Sequence, residues 1–313
     1  MQIKKARREK QKAIIGFIGP SGSGKTVSAL LTAYGMVAEK FPDASDAERW
    51  EKVGVIDTEH SRSQLYVNEA FGSSTIGEFL HLDLAPPYST DRYQQAIEMM
   101  VNEGVEVVVI DSLSHNWQGE GGIVDTHANM TGNSFQNWGK LAGETNNLVK
   151  TLTRNNIHIL CTLRTKTEYV LELNDKGKQS PKKIGTKPMQ KDEMEYEFMI
   201  NFNVGIDHIV ETTKDNTRLF EGTQFIVDES VGRKLFRWLE LGQDVMAEER
   251  AAREAEDLER KTLIAKILAK SATDEEVQTV ITNCEFKSSK KLAEFDMKLV
   301  QRVIQLIGGI DND

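Results

Sequence analysis

Cysteine is nearly absent from this chain: Cys161 and Cys284 are the two in 313 residues. They lie far apart, each inside an apolar run. That predicts buried free thiols and a reducing compartment such as the cytoplasm, rather than a disulfide framework. No apolar run reaches 18 residues, so no membrane span is expected. The N-terminus, MQIKKARREKQK, is basic, but only the short run 13–18 (AIIGFI) follows it. That run leads straight into a glycine loop and reads as a strand, not as the apolar part of a signal peptide. The six histidines have no metal-ligand spacing, and His158, inside an apolar strand, is expected to be a satisfied core residue. No internal repeat is present. Positive charge is also short, with a formal net charge of −9, which excludes a uniformly basic nucleic-acid binder. The deficit is uneven, however. The N-terminal arm is basic, and so is 164–191, where Arg164, Lys166, Lys176, Lys178, Lys182, Lys183, Lys187 and Lys191 stand against Glu168, Glu172 and Asp175. A local basic loop on an acidic body can still track a phosphate backbone.

Buried strands are predicted at 13–18, 53–57 (VGVID), 105–111 (VEVVVID) and 157–163 (IHILCTL), and an alternating one at 79–84 (FLHLDL). Helices over 25–41, about 89–102 and 135–154 alternate with them. Strand and helix in alternation mean a doubly wound, mainly parallel α/β sheet. Residues 112–133, rich in Gly and Asn, read as a long loop. Beyond 163 the pattern changes to a hairpin around Asp175-Lys176-Gly177, then two strands over 199–212 and 218–227. The expected organisation is a basic arm (1–12), an α/β core (13–241), an exposed linker helix (242–260) and a small helical module (261–313), opened by a capping box at Thr273–Glu276.

The chemistry begins at Gly19, Pro20, Ser21, Gly22, Ser23, Gly24, Lys25 and Thr26. They read GPSGSGKT, which matches G-x-x-x-x-G-K-[ST] between a predicted strand and a predicted helix, the context a phosphate-binding loop needs. The glycines free backbone N–H groups to face phosphate oxygens, and the helix N-terminus adds partial positive charge. Lys25 is expected to reach the β- and γ-phosphates, and Thr26 to place its hydroxyl on Mg²⁺. Asp111 ends the most apolar strand at the crevice edge of such a sheet, where a carboxylate can hold the Mg²⁺ shell. No Asn-Lys-x-Asp segment that would read guanine follows, so ATP is the expected nucleotide. Ser112 stands where many such enzymes carry a catalytic Glu directly after the acid. The candidate base is therefore Glu59, in VIDTEHSR at the end of the second strand.

A phosphate loop on the first strand, D-x-E-H at the end of the next, and an acid-bearing strand without its own Glu resemble the RecA family of ATPases. With VVVIDSLSHNW and LRTKTEYVLE…DKGK added, residues 12–240 look most like the phage-encoded RecA-like single-strand annealing ATPases. The resemblance implies that Glu59 orients the attacking water and that Thr162, at the end of its strand, senses the γ-phosphate. The segment VETTKDNTRLFEG resembles the Lys- and Arg-bearing hairpin of RecA-like hexameric helicases, which implies that Lys214 reaches a neighbouring copy's nucleotide, although Lys214 and Arg218 are spaced more widely than in that family. Single-stranded DNA would be the partner, through Arg164, Lys166, Lys176, Lys178, Lys182 and Lys183, with Trp117 and Tyr169 as stacking candidates. Further copies in a ring or filament, and a single-strand-binding protein, complete the expected partners. An assembly scaffold with little turnover, and a small-molecule kinase with 164–191 as a lid, are the alternatives.

Overall fold

The computed structural model describes residues 5–173 and 179–310. It divides into two compact units, 11–241 on one side and 1–10 with 242–313 on the other.

In the larger unit the chain runs β1 (Ile14–Gly19), α1 (Lys25–Lys40), α2 (Asp46–Trp50), β2 (Val53–Asp57), a small β3–β4 ribbon (Ala70–Phe71, Ser74–Thr75), β5 (Leu80–Asp83), α3 (Thr90–Asn102), β6 (Val107–Asp111), α4 (Ser114–Gln118), α5 (Ile123–Ala128), α6 (Ser134–Arg154), β7 (His158–Leu173), β8 (Gln179–Pro188), β9 (Ile200–Val204), β10 (Val210–Asp215), β11 (Gln224–Phe225) and α7 (Glu229–Leu239). Among the described residues the main sheet has nine strands, in the order β11-β10-β9-β1-β7-β6-β2-β5, with β8 paired to β7. From β9 to β5 every neighbouring pair is parallel. This is the expected doubly wound α/β architecture.

The pattern of side chains explains it. Every residue of β6, VVVID, is buried, because successive side chains face opposite sides and both sides are covered. Val107 and Val109 join the cluster built on α1 and α7. Val108 and Ile110 join the one built on α3 and α6. Burying each of these valines and isoleucines contributes roughly 1.5–3 kcal/mol, so the strand that carries Asp111 is fixed from both faces.

Several boundaries differ from expectation. The 112–133 segment contains α4 and α5 and is not an open loop. The single strand expected over 199–212 is a hairpin, β9 and β10, because 205–209 turns: Gly205 N donates to Ile209 O at 2.8 Å and His208 takes a positive φ of 65°. Ile206 kept the alternation of Ile200, Phe202 and Val204 running into that turn. Helix α7 was unanticipated. It buries Val231, Leu235, Phe236 and Leu239 at helical spacing and approaches α1 so closely that a Cβ on Gly232 would collide with Thr32 O. His158 is buried as expected, its Nδ1 accepting from Ala13 N at 3.1 Å.

In the smaller unit, the helix expected over 242–260 is the opening of a 27-residue helix, α8 (Val245–Ser271). Ile264 and Ile267 of α8 share a core with α9 (Glu275–Ser288) and α10 (Met297–Leu306). Asp274, not Thr273, caps α9, accepting from Glu276 N and Val277 N. Residues 8–10 of the basic arm run beside Gln243, with Lys10 N donating to Gln243 O at 3.0 Å. No helix among the described residues is long and apolar enough to cross a membrane.

Candidate active site

Parallel register brings the sites of interest to one edge. Asp57 pairs with Asp111 across β2 and β6, and Gly19 with Arg164 across β1 and β7. At that edge the chain turns through the phosphate loop with Gly22 at φ 80° and Gly24 at φ 89°, left-handed values that only glycine adopts at little cost. Helix α1 then begins with no side-chain cap and no acidic residue in its first turn. Its first N–H donors are left to an anion. Lys25 Nζ donates to Pro20 O at 2.7 Å, which folds the ammonium over the loop where phosphate oxygens would lie. Burial pushes the Lys25 ammonium below its ordinary range; Asp111 and Glu59 oppose that, and Arg164 adds to it.

Asp111 is held from two sides. Thr26 Oγ1 donates to its Oδ2 at 2.6 Å and Thr162 Oγ1 to its Oδ1 at 2.5 Å. Burial pushes its proton affinity up, the two hydroxyls pull it back, and Glu59 and Asp57 push it further up. Such crowded negative charge beside a hydroxyl is what a hard dication relieves. The donor set therefore fits Mg²⁺, with Thr26 and Asp111 as the protein's contribution and water and phosphate oxygens as the rest. Thr162 is fully buried, and its hydroxyl is engaged by Asp111 and orients the acid.

Glu59 stands on a braced loop. Asp57 Oδ1 accepts from Glu59 N at 2.7 Å, and Asp57 Oδ2 accepts from Ser63 N at 2.9 Å and Ser63 Oγ at 2.5 Å. Thr58 N donates to Asp111 O at 2.7 Å. Thr58 Oγ1 accepts from Ser112 N at 2.8 Å and lies 2.6 Å from His115 Nδ1. His115 in turn stacks on Tyr88 with ring centroids 5.0 Å apart. Sequence reasoning gave none of Asp57, Thr58 and His115 this bracing role. The D-x-E-H spacing drew attention to Glu59, but Asp57 two residues earlier is the group that orders its backbone.

The Glu59 carboxylate meets Arg164, which comes from 105 residues further along the chain. Arg164 Nε donates to Glu59 Oε1 at 2.6 Å and a terminal guanidinium nitrogen donates to Oε2. The pair is fork to fork, the strong geometry for this ion pair. Arg164 N also donates to Ser114 Oγ at 3.0 Å. The arginine is thus the junction between the phosphate crevice and the β7–β8 hairpin.

A profile of the AAA domain matches residues 11–224. The chain belongs to the AAA domain family. It is therefore a P-loop ATPase domain, and the phosphate loop, Asp111 and Glu59 all fall inside the matched region. A comparison with curated proteins finds no match.

The remaining candidates lie on the hairpin, on the helices after β6 and on β10. Lys166 is exposed on β7, and the backbones of Lys182 and Lys183 pair with Val170 and Tyr169 across the hairpin. Lys176 and Lys178 lie outside the described residues, as do the side chains of Lys182, Lys183 and Tyr169. Trp117 stacks on Trp138 at 5.9 Å, and Trp138 stacks on His127 at 4.0 Å. Lys214 pairs with Asn201, which pairs with Gly16, so it sits toward the amino end of β1. Its Nζ donates to Tyr196 O at 2.5 Å and Phe198 O at 2.6 Å, tying β10 to its own chain.

Proposed function

We propose that this AAA domain hydrolyses ATP with Mg²⁺ and couples turnover to single-stranded DNA bound at the β7–β8 hairpin, in strand annealing or recombination of the phage RecA-like kind. The observation that carries the proposal is Arg164, which holds both carboxylate oxygens of the candidate base while standing at the root of the basic hairpin. A strand that recruits or shifts that root would free Glu59.

Freed, Glu59 accepts the proton of the attacking water as the water oxygen bonds to the γ-phosphorus. The bond from that phosphorus to the β–γ bridging oxygen breaks, giving ADP and phosphate. Lys25 and the loop N–H groups stabilise the charge on the phosphate oxygens. The metal, when bound, neutralises charge shared between the β- and γ-phosphates. Assembly into a ring or filament, and a single-strand-binding protein as a further partner, belong to the same proposal.

The test is steady-state phosphate release with no nucleic acid, single strands, duplex and RNA. Stimulation by single-stranded DNA is the expected result. Equal rates in all four would remove DNA from the reading and leave the ATPase. A second arm uses the hairpin. Replacing Lys182 and Lys183 by Ala should flatten the salt dependence of single-strand affinity by roughly one to one and a half units of log–log slope.

A further inference from the structure

We infer that the turn between β9 and β10, residues 205–209, is the nucleoside-binding wall of the site, with Ile206 as its apolar face and His208 as its polar one. The inference rests on the phosphate loop binding a nucleoside triphosphate.

The direction follows from the sheet. Asp111 on β6 and Glu59 after β2 lie on one side of β1, so they fix where the terminal phosphate sits. The rest of a nucleotide must leave the loop on the other flank. The strand on that flank is β9, parallel to β1 through Ile15↔Ile200 to Ile18↔Asn203. The chain leaving β9 turns over the phosphate loop. His208 Nδ1 lies 2.9 Å from Ser23 O. A carbonyl only accepts, so Nδ1 carries the hydrogen and Nε2 of the neutral ring is left as an acceptor. The ring also lies against Gly24, where an added Cβ would come within 3.0 Å of His208 Nδ1. Two residues earlier Ile206 is 68% exposed, and its Cδ1 would lie 3.8 Å from a Cβ on Gly22. Asp207, between them, turns back to accept from Ile209 N at 3.2 Å. Ile206 and His208 thus address the phosphate loop together.

Ile206 sets an exposed apolar surface beside the phosphate cradle, which a flat apolar group can cover. A purine supplies that group, and the imidazole Nε2 can accept from an amine or a ribose hydroxyl of the same nucleoside. This chemistry distinguishes a nucleoside triphosphate from a bare polyphosphate, which needs the loop alone.

The test is calorimetric binding of ATP and of inorganic tripolyphosphate, each with Mg²⁺, to the full chain. Ile206→Ala should weaken ATP about fivefold. His208→Asn keeps an amide donor near the Nδ1 position, tolerates the positive φ and loses the Nε2 acceptor; it should weaken ATP about three- to tenfold. Tripolyphosphate affinity should be unchanged in both variants, while the control Lys25→Ala lowers both ligands. Equal losses for ATP and tripolyphosphate, or no loss for ATP, would overturn the wall and leave the phosphate loop standing. Failure of the unaltered chain to bind either ligand would overturn the phosphate-loop reading, and this inference with it.

Discussion

Replacing Arg164 by Ala is the most informative single perturbation of this site. The guanidinium takes one acceptor site on each oxygen of Glu59 and fixes the direction in which the carboxylate points. Removing it leaves the strand end in place, because Arg164 N, a backbone group, still donates to Ser114 Oγ. The base itself stays braced by Asp57 and Thr58. The Arg164 side chain is 38% exposed and that of Glu59 13%, so the fork must be discounted for solvent. A charge-assisted bidentate pair in that setting holds the closed arrangement by about 1–1.5 kcal/mol. Releasing it should raise the fraction of molecules with a free base, and basal phosphate release at saturating ATP, by between about 5- and 13-fold. Stimulation by single strands should shrink by the same factor, since the DNA no longer has a latch to open. Phosphate release with and without a saturating oligonucleotide measures both quantities on one sample. A basal rate that falls tenfold or more would refute the latch and make Arg164 a group that stabilises transition-state charge. An unchanged basal rate with full stimulation would refute it equally, because the pair would then be incidental.

The remaining predictions concern the groups around this pair. Glu59→Gln should bind ATP normally and lose roughly 10²–10⁴-fold in hydrolysis, measured by nucleotide titration and single-turnover phosphate release; turnover within a few-fold of the parent would put the base elsewhere. Thr162→Val keeps the shape but leaves Asp111 Oδ1 short of a donor in a buried place, so urea unfolding without nucleotide should show a loss of about 1–3 kcal/mol; a side chain that only sensed phosphate would leave that stability unmoved. His158 is buried with its proton affinity well below the ordinary value of 6.5, chiefly by desolvation, with the Lys12 and Lys40 charges adding. The unfolded chain therefore takes up a proton that the folded chain refuses, and stability should fall by up to about 1.4 kcal/mol per pH unit as pH drops below about 6.5. Urea midpoints at pH 7.5, 6.5 and 5.5 should follow that slope, and His158→Gln should flatten it.

What could be read from the sequence was local in origin. GPSGSGKT is eight consecutive residues, and its glycines, lysine and threonine act where they stand. The strand VVVID declared itself because burial on both faces leaves no alternation to misread. Asp111 followed, since the end of that strand is the crevice edge. Local reading failed where one period ran through a turn, as at 205–209, and where a helix followed irregular chain. Helix α7 has a clear apolar face, but only its fit against Gly35 of α1 makes it part of the core.

Long-range partners were out of reach for a different reason. Thr162 and Lys214 were given ligand-facing tasks by resemblance, and each has a partner on its own chain: Asp111 for one, two backbone carbonyls for the other. A parallel crossover sets the first of those partners and the antiparallel β9–β10 hairpin the second. The crossovers also carry Arg164 across to Glu59 by placing β7 between β1 and β6. A basic residue at 164 looks, in sequence, like the first of a run of solvated lysines. In the fold it is the member of that run set against the catalytic candidate, because β7 does not stop at the sheet edge but continues to Leu173 as one arm of the hairpin. The same continuous strand thus touches Asp111 through Thr162 and Glu59 through Arg164, two residues apart, before it runs on into the hairpin.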